Sequence, residues 1–493
     1  MSKAKAGRTR DVTRHVRLLP RSLKILPFAA LLAGCTVMGM PGVQQVSLPD
    51  PPKQTELLPG AQREHQRILA AYGGAYNDPK LEAVVVKTVE RLIAASERPE
   101  LKYRVTILNS SAVNAFALPS GNLYITRGLI ALANDNAELA SVLAHEMSHV
   151  LARHAAIRED QARQAAIVSR VVNDVLSDPQ TGALALAKSK IALASFSRQQ
   201  EFEADGIGVG IAAKAGYDPY GAVRFLSSMG RNAELRPRSK ENSALDFLSS
   251  HPATPERVLN AQANARQYVA PGAGERERAS YLAGIDGIVY GEDPSEGFIR
   301  GRRFLHPKLG FTFSAPNGFT VENTAQAVLG VRDNGSQAFR LDVVRVPAEQ
   351  SLSDYLQSGW IENVDKGSID AHPINGFTAA TANAKGDQWS FRLYVIRFGS
   401  DVYRFIFAAK HKTPESDLAF RYTVNTFRRM TLAEIQAAKP LRIKVVTVQP
   451  GDTVEKFADR MATDRPLERF RVINGLDVGD RVKVGEQVKI VEE

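Results

Sequence analysis

Leu139, Val142, Leu143, Met147, Val150 and Leu151 recur at the spacing of one helical face. Asp135 precedes them with Glu138 three residues on, an N-cap and capping box in outline. The pattern predicts a buried helix of roughly five turns. A second helix is predicted over residues 198–215. Asn122 to Thr126 alternates polar and apolar side chains, as a strand does, with Pro119 and Gly121 as bounding turn residues. Downstream, Trp389, Phe391, Leu393 and Val395 alternate with Ser390, Arg392 and Tyr394. A turn at Phe398-Gly399-Ser400-Asp401 leads into residues 402–408, which is a hairpin signal. Residues 311–314 and 338–346 read as strands, and 353–360 and 416–427 as helices. Residues 290–435 are thus expected to form an α+β domain with an antiparallel sheet, of unassigned role. The Ala-rich stretch 182–197 is interrupted by Lys188 and Lys190, so it reads as a packed or lid helix.

The 493 residues allow two or three domains, and 44% hydrophobic content gives each a core. The formal net charge is +10, but residues 1–34 hold eight Lys or Arg against one acidic residue, Asp11. About +3 remains without them, which gives no argument for nucleic-acid binding. The apolar run 25–32 is too short to span a bilayer. With Leu32-Ala33-Gly34-Cys35 it resembles a bacterial lipoprotein signal, cleaved before Cys35 and lipidated there. Thr36 after the cysteine implies, by the same resemblance, the outer membrane of the envelope, facing the periplasm. Cys35 is the only cysteine, so no intrachain disulfide forms. Residues 35–60 read as a tether.

The chemistry-bearing stretch is His145-Glu146-Met147-Ser148-His149. Histidines four apart on a helix project from one face and can hold one zinc ion. Glu146 lies about 100° around the helix from His145. That suits taking a proton from a water activated by the metal. A third ligand is sought in Glu201-Phe202-Glu203-Ala204-Asp205. Alone, these carboxylates read as a solvated face; beside the histidine pair, the ligand reading prevails. Asp205 suits accepting a hydrogen bond from a ligating histidine. His154 falls half a turn out of phase with the ligand face, which gives it a structural role.

These motifs, with residues 114–129 (NAFALPSGNLYITRGL), resemble the family M48 zinc metallopeptidases of the HtpX-like and CAAX prenyl protease type. The resemblance covers residues 62–266. It implies one zinc ion per chain held by His145, His149 and Glu201, with Glu146 as catalytic base and Asp205 as a supporting active-site carboxylate. It also implies that Asn122, Leu123, Tyr124, Ile125 and Thr126 form an edge strand that pairs with an extended polypeptide substrate. Ser250-His251-Pro252-Ala253-Thr254-Pro255-Glu256-Arg257 is similar to a segment of periplasmic members. Either His251 is a regulatory fourth metal ligand, or it is a loop histidine before a helix with Pro255 at N1. Residues 441–493 resemble a LysM module, a βααβ fold that binds peptidoglycan glycans; the alternative is a small domain kept for packing.

The expected fold is therefore multidomain. Residues 1–34 are the lipoprotein signal and 61–270 a mainly α, zincin-like metalloprotease domain with a small β-sheet. Residues 290–435 are the α+β domain and 441–493 the βααβ LysM-like unit. The implied function is a zinc endopeptidase in quality control or assembly of envelope proteins, with polypeptide substrates, peptidoglycan and the membrane as partners. The alternative is a chaperone-like assembly factor or wall-binding scaffold with a latent or vestigial site.

Overall fold

The structure is a computed structural model that describes residues 59–160, 196–235, 247–252, 254–332 and 335–493. Cys35, the leader, nearly all of the tether and most of the Ala-rich stretch lie outside the described residues.

Helices α1 (Pro59–Ala71) and α2 (Pro79–Ala95) lead into strands β1 (Arg104–Leu108), β2 (Ala115–Ala117) and β3 (Asn122–Thr126). Asp78 caps α2, and Pro79 sits where its missing N–H costs nothing. The sheet order is β1-β3-β2, with β3 parallel to β1 and antiparallel to β2. The expectation of a free edge at Asn122, Leu123, Tyr124, Ile125 and Thr126 is therefore wrong: the strand is central and wholly buried. Its alternating polar residues face partners instead of solvent. Asn122 Nδ2 donates to Ser120 Oγ (2.9 Å), Tyr124 OH meets His65 Nδ1 (2.8 Å) and Thr126 Oγ1 donates to the Ala112 carbonyl (2.6 Å). The edge beside the zinc-motif helix belongs to β2.

The short helix α3 (Arg127–Leu132) precedes α4 (Asn136–Leu151), which carries the histidine motif. Asp135 caps α4 by accepting from the Glu138 N–H (2.8 Å), as its position implies. Every α4 residue from Asn136 to His149 is buried, so this helix is the centre of the domain. Around it stand α5 (Arg198–Lys214), α6 (Gly221–Glu234), α7 (Phe247–Ser250), α8 (Pro255–Arg266) and α9 (Arg278–Ile285). A Cβ on Gly208 of α5 would lie 2.9 Å from the His145 backbone nitrogen, so only glycine lets α5 approach α4 this closely.

After β4 (Val289–Tyr290), the chain builds β5 (Phe298–Arg300), β6 (Arg303–His306), β7 (Phe311–Ser314), β8 (Phe319–Asn323), β9 (Val328–Arg332) and β10 (Gln337–Val344). Helix α10 (Leu352–Leu356), shorter than the expected 353–360, precedes β11 (Val364–Ala371), β12 (Ala379–Lys385), β13 (Ser390–Phe398) and β14 (Asp401–Ala409). Helix α11 (Pro414–Asn425), β15 (Arg428–Arg429) and α12 (Leu432–Ala437) complete the region. Its strands form a seven-stranded antiparallel sheet, β11-β12-β13-β14-β10-β9-β8, and a four-stranded one, β15-β7-β6-β5. The β13–β14 hairpin closes with Phe398 opposite Asp401, at the turn read from the sequence.

The C-terminal residues run β16 (Leu441–Thr447), α13 (Val454–Ala458), α14 (Pro466–Ile473) and β17 (Gln487–Glu492), a βααβ order with β16 and β17 antiparallel. They do not form the separate unit that the sequence suggests. Strand β16 also pairs with β4. Ile443, Phe457, Phe470 and Ile490 share one apolar cluster with Leu143 of α4, Phe225 of α6 and Tyr281 of α9. Lys489 is fully buried, and its Nζ donates to the carbonyls of Ala131 (2.9 Å), Leu132 (3.2 Å) and Ala133 (2.7 Å) at the end of α3. No helix among the described residues is long and apolar enough to cross a membrane.

Candidate metal centre

Three elements bring four side chains to one buried point. Helix α4 supplies His145 and His149, α5 supplies Glu201, and the turn after α7 supplies His251. Their donor atoms all lie within 4.8 Å of one another. His145 Nε2 is 3.1 Å from His149 Nε2, 3.3 Å from His251 Nδ1 and 3.6 Å from Glu201 Oε2. Glu201 Oε1 is 2.9 Å from His251 Nδ1 and 3.6 Å from His149 Nε2. A zinc tetrahedron with its ordinary bond lengths has edges of about 3.3 Å. The donor set, three imidazoles and one carboxylate, is also one that zinc takes. Among the described residues this is the one group of at least three such donors that converge.

Burial lowers the proton affinity of all three imidazoles, with His251 brought down to about 3. The neutral ring is the form that ligates. Burial raises the Glu201 carboxyl as well, which a cation shared among these side chains would offset.

Glu146 points elsewhere from the same helix. Burial, reinforced by the Glu201 charge, pushes its carboxyl well above the ordinary range. The Ala117 backbone N–H of β2 reaches that carboxyl. Leu118 N–H donates to the Asn122 carbonyl and Thr126 N–H to the Asn114 carbonyl. By antiparallel alternation, Ala115 and Ala117 then turn their backbone polar groups outward from the sheet. Glu146 Oε1 also lies 3.8 Å from His251 Nε2.

Asp205 stands 2.9 Å from His145 Nδ1, the ring nitrogen turned away from the cluster. Arg257 of α8 grips the same carboxylate with Nε (2.8 Å) and Nη2 (2.7 Å), and its Nη1 lies 2.7 Å from Glu201 Oε2. Burial would raise Asp205, yet the hydrogen bonds from Arg257 and His145 hold it down at about 2. Sequence reasoning gave Arg257 no role. No local pattern marks it, since its burial and its carboxylate partners on α5 arise only when α8 packs there. Thr254 caps α8, and Pro255 starts the helix as read from the sequence.

His154 was placed by counting turns along an unbroken helix. The helix in fact ends at Leu151, and Arg153 adopts φ 56°. This reversal brings His154 Nδ1 to 3.0 Å from His149 Nδ1. Phe196 stacks on the His149 ring at 4.0 Å, and Phe247 on His251 at 4.4 Å, so apolar faces wall the site.

Comparison with known proteins agrees with this geometry. Residues 79–265 match the profile of Peptidase family M48. The Beta-barrel assembly-enhancing protease of Escherichia coli (strain K12) is 32% identical over 200 residues, covering 39% of this chain and 40% of that protein. Mitochondrial metalloendopeptidase OMA1 of Schizosaccharomyces pombe is 28% identical over 203 residues, or 40% of this chain and 58% of that protein. The OMA1 of Saccharomyces cerevisiae is 32% identical over 196 residues, 37% of this chain and 54% of its own length. The chain thus spans about two fifths to three fifths of the length of the relatives it matches. Residues 79–265 are a Peptidase family M48 domain, and the zinc that this family uses fits the buried His145–His149–Glu201–His251 cluster.

Proposed function

We propose that this chain is a zinc-dependent endopeptidase acting on polypeptides of the bacterial envelope. The observation that carries the reading is the convergence of four buried donors within 4.8 Å of one another, beside the protonatable Glu146. His145, His149 and Glu201 would hold the metal. Bound zinc supplies a Lewis acid that polarises the scissile carbonyl and makes water acidic. Glu146 takes a proton from the attacking water and returns it to the leaving amine; burial gives it the proton affinity this needs. Asp205, held by Arg257, fixes the tautomer of His145. The outward backbone of Ala115 and Ala117 on β2, in place of β3, offers main-chain hydrogen bonds to an extended substrate.

His251 stands with the other three donors and would take the position left for water on a bound zinc, which supports the reading of a latched, latent state. The alternative of an assembly scaffold rests on the same residue, since a site kept closed does no hydrolysis. The envelope assignment comes from the lipoprotein-like Cys35 signal and from the relative named for enhancing β-barrel assembly. Glycan binding by residues 441–493 rests on their βααβ order and LysM-like sequence.

The test compares Glu146→Gln and His251→Ala with wild type on an unfolded protein substrate. Glu146→Gln should keep its zinc and lose about 10²–10⁴-fold in rate. Equal cleavage by Glu146→Gln and wild type would defeat the mechanism. His251→Ala should cleave faster than wild type; slower or unchanged cleavage would remove the latch.

A further inference from the structure

His145 and His149 are supported in different ways. His145 Nδ1 meets a carboxylate directly, Asp205 at 2.9 Å. His149 Nδ1 meets another imidazole, His154 Nδ1 at 3.0 Å, and His154 Nε2 in turn lies 3.3 Å from Glu203 Oε2. His154 is 1% exposed, so water does not supply its ring with partners. The placement depends on the left-handed Arg153, which turns the chain back on α4. Phe196 covers the face of the His149 ring and leaves the edge at Nδ1 to His154.

Only one arrangement of protons satisfies this chain of contacts when His149 ligates. Its Nε2 faces the cluster and must offer a lone pair, so the single ring proton sits on Nδ1. His154 Nδ1 must then accept, which leaves its own proton on Nε2, facing the Glu203 carboxylate. The Glu203 charge thus reaches the metal ligand through two neutral rings. We propose that His154, backed by Glu203, is a positioning residue that fixes the tautomer and ring orientation of His149. This rests on the zinc reading above. It also assigns Glu203, which α5 places between the ligand Glu201 and Asp205, a role apart from theirs.

The experiment measures zinc affinity of the full chain by competition with a chromophoric chelator, with the visible spectrum of the cobalt-substituted protein alongside. His154→Leu removes the acceptor and should weaken zinc by about 10–100-fold, with an altered cobalt spectrum. His154→Asn keeps an acceptor oxygen near the Nδ1 position and should restore both to within about threefold of wild type. A leucine variant that binds zinc as tightly as wild type overturns the proposal, as does an asparagine variant as weak as leucine. Should the leucine variant not fold, Glu203→Ala carries the test, because that side chain is 55% exposed and its loss leaves the packing intact. Unchanged zinc affinity in Glu203→Ala then overturns the proposal. A wild-type protein that takes up no zinc would instead defeat the metallopeptidase reading itself.

Discussion

Arg257 joins the two carboxylates of α5 into one unit. Three of its nitrogens meet Asp205 and Glu201 at 2.7 to 2.8 Å, and all three side chains are buried. Removing one partner from such a group leaves charge in a low dielectric with nothing to balance it. Arg257→Met is therefore expected to cost about 3–5 kcal/mol of stability, measured by chemical denaturation of the metal-free protein. Arg257→Lys should recover only part, since an ammonium cannot match the bidentate geometry on Asp205. A methionine variant as stable as wild type would show that the α5 carboxylates are held by other means. The pairing of His145 with His149 was legible in the sequence, because a spacing of four on a helix is a local property. Arg257 and His154 were not, because each depends on where another segment of chain arrives.

At the level of elements, the site is a contact between two helices. α4 and α5 cross close enough for His145 and Glu201 to share a corner, and Gly208 permits that distance. Gly208→Ala would put a methyl group 2.9 Å from a backbone nitrogen and 3.1 Å from a backbone carbon of His145. Neither can swing aside as a side-chain end would. The expected cost is on the order of 1–3 kcal/mol, with weaker zinc binding because α5 carries Glu201 outward. Titrating zinc into this variant against wild type tests it; equal affinity would mean that the helices can separate without moving the ligands. The edge-strand reading failed at this same level. Alternation located β3 but said nothing of its neighbours, and its polar side chains find partners inside. Edge or centre is decided by pairing, which periodicity does not encode.

For the whole molecule, the C-terminal βααβ segment shares the apolar core of the M48 domain. Lys489 supplies all three of its protons to carbonyls at the end of α3, immediately before the cap of α4. Arg278 of α9 donates to the Asn134 carbonyl (2.8 Å) and to the Gln487 carbonyl (3.1 Å), so the same junction is tied from two directions. Lys489→Met should cost about 1–3 kcal/mol by leaving those carbonyls without donors. Ending the chain at residue 440 would also expose the apolar surface that Ile443, Phe457, Phe470 and Ile490 cover. The shortened protein is expected to melt well below the full chain and to lose zinc uptake with folding. If it kept both, the segment would be separable, as its sequence suggests.

The shared face of His145 and His149, the caps that start α4 and α8, the β13–β14 hairpin and the βααβ order are all set by residues within a few positions of one another. Short-range geometry and hydrogen bonding determine them before any domain forms, so the chain by itself was enough. The fourth donor His251, the clamp of Arg257, the contact of His154 with His149, the central place of β3 and the docking of the C-terminal segment join residues far apart in the chain. Helix crossing, strand pairing and shared burial bring them together, and those arise only when the tertiary structure closes.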